Sequence, residues 1–228
     1  MDAGETGYTS AMDFEAMLFD LDDTLYPPTS GVWEAIGVRI DRYIHERVHI
    51  PSEEVVALRK DLFHRFGTTL RGLVELYDVD AEDYLEYVHD IDLSRYLQPN
   101  DALRNTLSQY HQRKIIFTNA STKHARRVVS RLGLEGIFDQ IVDIQSIQPY
   151  CKPQTAAFKR AFELAKIRTP EECIMLDDSL LNLHAAQELG MYAIQVGAED
   201  RVGGVDAAIM TLVDLPSVVP VDGTDGRA

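Results

Sequence analysis

Cysteine is scarce: Cys151 and Cys173 are the two in a chain of 228 residues, and they form no spacing motif. They read as reduced packing thiols of a cytoplasmic protein rather than as a disulfide framework. Long apolar runs are missing as well. None approaches the ~20 residues that a membrane-spanning helix needs, and Asp2 and Glu5 break the pattern of a secretory leader. Positive charge is the third shortage, with 22 Lys and Arg against 37 Asp and Glu and a formal net charge of −15. The long-range field of such a chain repels nucleic acid and anionic membrane, so neither is expected as a partner. An anionic substrate then requires a local positive centre that overcomes this field. Internal repeats and low-complexity segments are absent too.

What is present is ordinary globular composition, 45% hydrophobic and 26% charged residues, in a chain long enough for one substantial core or one domain with a sizeable insertion. Short apolar runs read as buried parallel strands: AMLFDLD at 16–22, KIIFTNA at 114–120, QIVDI at 140–144, CIMLDD at 173–178 and YAIQVG at 192–197. Helical patterns separate the later ones, at 122–133, at 153–167 with Pro153 in a first-turn position, and at 180–190. Strands alternating with helices predict a doubly wound α/β domain. Between the first strand and the second lie helical patterns at 31–48, 52–66, 69–77 and 81–90. That block is too long for one crossover, so it reads as a helical insertion. The expected organisation is a tail over 1–13, a core over 14–28 and 98–217, a helical cap over 29–97, and a second tail over 218–228.

The stretch FDLDDTLYPP, residues 19–28, drives an apolar strand straight into Asp20, Asp22 and Asp23. A strand end tolerates that cluster when something positive sits beside it. In open α/β sheets the ligand crevice lies beyond the carboxyl ends of the strands. The polar residues at those ends are Asp20 and Asp22, Thr118 and Asn119, then Asp177 and Asp178, with Lys152 opening the loop before helix 153–167. Singly, each reads as a helix cap. Together, in this order, the four segments resemble the four motifs of the haloacid dehalogenase superfamily over about residues 14–200, and the insertion resembles the helical cap of its first cap class.

The resemblance implies a Rossmann-like core and a phosphatase. Mg²⁺ would be held by Asp20 and Asp178 side chains and the Asp22 backbone carbonyl, with Asp177 a direct or water-mediated ligand; hard oxygen donors suit that ion. Asp20 would be the nucleophile that forms an aspartyl-phosphate, and Asp22 the general acid and base. Thr118, Asn119 and Lys152 would hold the phosphate oxygens. Many members place an acid where this chain has Leu183, and Ser179 and Asn182 are candidates for its orienting work. An aspartate at position 22 resembles phosphatases and not haloalkanoate dehalogenases. In the insertion Lys60 is the single lysine, and it reads as a solvated charge.

DLDDTLYPPTSG, FGTTLRGL at 66–73, YVHD at 87–90 and IFTNA further resemble the pyrimidine 5′-nucleotidase branch. That implies a nucleoside 5′-monophosphate as substrate, with a small sugar phosphate (hydrolysed or isomerised) as the alternative. Thr68, Thr69, Arg71 and His89 are the candidate cap contacts. Tyr26 is a candidate to stack on a base, Trp33 reads as core, and the basic run 123–131 as a solvated helix face. A phosphoacceptor receiver and a non-catalytic binder are the readings from other classes. The first leaves the insertion unexplained, and the second is at odds with the retained Asp20 and Asp22. A monomer or homodimer is expected.

Overall fold

The computed structural model describes residues 14–221; the expected tail 1–13, and 222–228 of the second tail, lie outside them. Six parallel strands form one sheet, β1 (Ala16–Phe19), β2 (Arg113–Phe117), β3 (Gln140–Val142), β4 (Cys173–Asp177), β5 (Tyr192–Val196) and β6 (Ala207–Ile209), in the order β3-β2-β1-β4-β5-β6. β1 is central, and Phe19 pairs with Ile116 on one side and Leu176 on the other. The chain leaves β1 toward β2 and β3 and then returns to β4 on the opposite side. That reversal opens a crevice at the carboxyl end of β1.

Side chains alternate across the sheet as strand geometry requires. Met17, Phe19, Ile116, Ile174 and Leu176 enter one core with α5 (Asp101–Ser108) and α6 (Thr122–Arg131). Ala16, Leu18, Ile115, Phe117 and Met175 enter the other with α7 (Thr155–Ala165) and α8 (Leu180–Gln187). Helices on both faces make the expected doubly wound α/β fold.

Four helices stand between β1 and α5: α1 (Val32–Glu46), α2 (Ser52–Phe66), α3 (Thr69–Tyr77) and α4 (Ala81–His89). Each buries one stripe, such as Val32, Ile36, Ile40 and Tyr43 of α1. α2 and α3 approach closely at Gly72, where a Cβ would lie 2.6 Å from a Leu62 methyl. Gly67 ends α2 with a φ of 83° that favours glycine.

Some local expectations differ. α5 and the three-residue edge strand β6 stand where no element is expected. Pro153 precedes α7, whose N-cap is Gln154, instead of lying in its first turn. Packing continues past residue 217: Val219 is buried, and its carbonyl accepts from the Tyr110 hydroxyl at 2.7 Å. Among the described residues no helix is long and apolar enough to cross a membrane.

Candidate active site

β1, β2 and β4 end side by side, so Asp20, Thr118 and Asp177 emerge on one edge. Lys152 arrives there from the loop after β3. Its ammonium is buried and donates to Asp20 Oδ1 and to Asp177 Oδ2, both at 2.7 Å. The Asn119 side chain fixes that loop through two contacts with the Lys152 backbone, accepting from its N–H at 2.9 Å and donating to its carbonyl at 3.0 Å. Thr118, also buried, accepts from the Ala120 N–H.

Asp177 is saturated by protein donors. Besides Lys152 it accepts from the Ser179 N–H at 2.9 Å and from the Asn182 amide at 2.9 and 3.0 Å. Ser179 and Asn182 thus orient this acid, and Leu183 is core. Asp178 accepts from the Thr24 hydroxyl at 3.5 Å.

Asp20, Asp177 and Asp178 offer carboxylate oxygens that lie within 4.8 Å of one another. Burial raises the Asp20 pKa well above the usual carboxylate range; Lys152 opposes that, and Asp177 and Asp178 add to it. Burial, with Asp177 next, raises Asp178 to about 6. Burial, with Asp178 and Asp22 next, raises Asp23 to about 6 as well. Lys152 goes the other way: burial alone would lower it, but Asp177 and Asp20 drive it above the ordinary lysine value. Three acids therefore face one ammonium, and Asp23 Oδ1 is buried with no hydrogen-bond partner among the described residues. A hard divalent cation fits this all-oxygen, electron-rich set.

Asp22 has a separate environment. Its Oδ1 accepts from the Tyr26 hydroxyl and contacts His124 Nε2 at 2.9 Å. Burial would raise its pKa, but the charge and hydrogen bond of His124, then the Tyr26 hydrogen bond, bring it below the ordinary value. The two aspartates of the motif are thus tuned in opposite directions.

A cleft of about 570 Å³ opens over this edge, lined by Asp20, Asp22, Thr118, Asn119, Lys152 and Asp178 from the sheet side and by Thr68, Thr69 and His89 from the helices above. The expected cap contacts divide. Thr69 faces the cleft, whereas the Thr68 hydroxyl is used as the N-cap of α3, accepting from the Arg71 N–H. Arg71 is turned to the Tyr150 carbonyl at 2.8 Å and does not line the cleft. Tyr26 is buried against Asp22 and has no free face for a base. Trp33, expected in the core, is 45% exposed and lines the cleft mouth with Phe63, Leu181 and Lys60.

His89 sits at the cleft edge, but its ring is buried and stacks on His124 with centroids 4.3 Å apart and planes 13° apart. Burial foremost, and then the neighbouring His124, push its pKa down to about 3. The folded value lies below the unfolded value of ~6.5. The stability this neutral ring carries is therefore complete above about pH 6.5 and lost as pH falls toward 3, at up to ~1.4 kcal/mol per pH unit. In urea melts, the stability difference between the wild type and His89→Leu should shrink with that slope as pH is lowered. A difference independent of pH would show that the ring is not held neutral.

His124 is the member of the site that the sequence reading passed over, as part of the basic run. The signal was its phase: His124, Ala125 and Val128 form the buried stripe of α6, while the arginines between them point away.

A family model described as haloacid dehalogenase-like hydrolase matches residues 14–190. Phosphate metabolism protein 8 of Saccharomyces cerevisiae is 26% identical over 193 residues, covering 78% of this chain and 60% of that protein. The chain thus spans less than two thirds of that relative. A haloacid dehalogenase-type phosphatase from Thermococcus onnurineus superposes with a TM-score of 0.63 at 19% identity, over 91% of this chain and 99% of the other. The hydrolase YfnB of Bacillus subtilis, solved bound to magnesium, gives a TM-score of 0.59 at 18% identity, again over 91% and 99%. At such identities the structural likeness speaks for the fold. The family match covers most of the chain and includes every strand-end acid of the site, so the chain belongs to the haloacid dehalogenase-like hydrolases.

Proposed function

We propose that the chain is a Mg²⁺-dependent phosphomonoesterase working through an aspartyl-phosphate on Asp20, with a nucleoside 5′-monophosphate, and a pyrimidine one in particular, as substrate. One observation carries the chemistry: two aspartates two residues apart, one beside a buried lysine at a cluster of acids and one held separately by His124 and Tyr26. Asp20 attacks phosphorus in line, and the bond to the leaving oxygen breaks as that oxygen takes a proton from Asp22. Asp22 then accepts a proton from the water that hydrolyses the acyl phosphate. Lys152 and Thr118 offset and orient charge on the nonbridging oxygens. Asp20 and Asp178, with the Asp22 backbone carbonyl and with Asp177 directly or through water, would hold Mg²⁺, which would supply further charge neutralisation at phosphate. Residues 29–97 serve as the cap, and two free cysteines support a location in the cytoplasm. Phosphate release from p-nitrophenyl phosphate with and without Mg²⁺ tests the chemistry, and absence of turnover in both would remove it.

The substrate reading rests on the cleft mouth. Trp33 and Phe63 present exposed aromatic faces there, and each base–aromatic stack is worth ~1–3 kcal/mol. Trp33→Ala should lower kcat/KM for a pyrimidine nucleoside monophosphate roughly 5- to 150-fold. Efficiency with ribose 5-phosphate, which lacks a base, should change much less. Equal losses on both substrates would assign Trp33 to cap structure and take the nucleotide reading with it.

A further inference from the structure

His124 and Tyr26 come to Asp22 from different directions. Tyr26 closes the loop that follows β1, and His124 occupies the first turn of α6, 102 residues from Asp22 in sequence. Both meet the same atom, Asp22 Oδ1. Asp22 Oδ2 receives no hydrogen bond among the described residues, and Asp22 lines the cleft. The His124 ring is fully buried and plated on one face by His89, and the backbone N–H of His124 is anchored by the Ser121 cap. Its Nδ1 has no hydrogen-bond partner among the described residues, so Asp22 is the one polar contact that the ring makes there. Placing an imidazole in a closed pocket with half its hydrogen-bonding capacity unused costs stability. A packing residue would meet the steric need without that cost.

The geometry points to His124 and Tyr26 as a clamp that positions Asp22: they hold Oδ1 so that Oδ2 alone faces the leaving oxygen and exchanges the proton. This deepens, and rests on, the reading of Asp22 as the acid and base of a phosphomonoesterase. Neither clamp residue touches substrate. Each acts through Asp22, so its removal should matter in proportion to how much the reaction needs Asp22.

Leaving groups provide that readout. A nucleoside or simple alkyl phosphate expels a basic alkoxide that must be protonated, whereas p-nitrophenolate leaves without help. His124→Phe keeps a ring to stack on His89 and deletes the donor. His124→Gln can place an amide N–H near the position of Nε2. Tyr26→Phe removes one hydroxyl and preserves the buried ring. Misplacing a catalytic group by about an ångström costs ~10²-fold. In His124→Phe the ratio of kcat/KM for an alkyl phosphate to that for p-nitrophenyl phosphate should therefore fall by ~10- to 100-fold. His124→Gln should recover most of it, and Tyr26→Phe should move the ratio in the same direction by a smaller factor. Wild type and Asp22→Asn are assayed alongside. If Asp22→Asn leaves the ratio unchanged, Asp22 is not the acid and the underlying reading fails. If Asp22→Asn lowers the ratio but neither folded His124→Phe nor Tyr26→Phe does, the clamp alone is overturned. A fall that glutamine does not restore, with Tyr26→Phe at the wild-type ratio, would also overturn it by assigning His124 to packing. Should His124→Phe fail to fold, Tyr26→Phe and His124→Gln decide the question by the same ratio.

Discussion

Asp20→Asn is expected to lower kcat by at least ~10³, about 4 kcal/mol of barrier, while the protein stays folded with an unchanged or higher melting temperature. The amide has nearly the shape of the carboxylate, but it is a poor nucleophile and a weak ligand for a divalent cation. The stability half of the result follows from the electrostatics. Burial and the neighbouring Asp177 and Asp178 raise the Asp20 pKa despite Lys152. The ionised carboxylate is therefore less favoured in the folded chain than in the unfolded one, and neutralising it relieves repulsion. Lys152 keeps a partner in Asp177 at 2.7 Å. Turnover of p-nitrophenyl phosphate with a thermal melt on the same sample checks both halves. A variant with near wild-type kcat would remove Asp20 as nucleophile. A large drop in melting temperature would show that Asp20 is needed for the core and leave its catalytic loss uninterpretable as chemistry.

How much of this was legible in the sequence depends on how local each feature is. β1, β2, β4 and β5 announce themselves because each is a largely buried apolar run inside a parallel sheet. β3, an edge strand of three residues, is read because the apolar pattern runs on through QIVDI. The site acids follow those runs directly, so strand, turn and functional group are read in one string. β6 is three residues at the other sheet edge, two of them alanine, too weak a pattern to read. α5 buries only Leu103, Thr106 and Leu107, a stripe interrupted by a threonine. Trp33 was misjudged because it adjoins the stripe: Val32 and Ile36 are a full turn apart and face the core, and a residue one step along is rotated ~100° from them. The Asp22–His124 contact is not legible at all from one sequence. It joins residues 102 positions apart, and a histidine in a basic helical run carries no mark of the partner it will meet. What the sequence conveys well is chemistry held within one strand-turn unit. What it hides is chemistry assembled between units.

Lys152 is where those units depend on one another most. The ammonium is buried, paired at 2.7 Å to Asp20 from the end of β1 and at 2.7 Å to Asp177 from the end of β4, and its loop is tied to Asn119 from the end of β2. Lys152→Met retains length and packing but removes the charge. Two buried carboxylates then lose their common partner, and breaking a buried pair by deleting one member costs ~3–5 kcal/mol. The pH dependence has a defined sign. The folded pKa of Asp20 already lies above the ordinary value, and without Lys152 it rises further. The folded state then binds a proton more tightly than the unfolded chain, so the variant should gain stability as pH is lowered, measured between about pH 8 and 5. Relative to wild type at each pH, the deficit should be largest at the alkaline end and shrink on acidification. If Mg²⁺ occupies the acid cluster, millimolar Mg²⁺ should recover part of the deficit at alkaline pH, where the carboxylates are ionised, and little at pH 5. Catalysis should not return with stability, because the phosphate oxygens still lack the ammonium, and a loss of ~10²–10³ in kcat should persist under every condition. Chemical denaturation across this pH range, with and without Mg²⁺, measures the first effect and phosphate release the second. A Met variant as stable as wild type at pH 8 would mean that Lys152 does not hold these strand ends together.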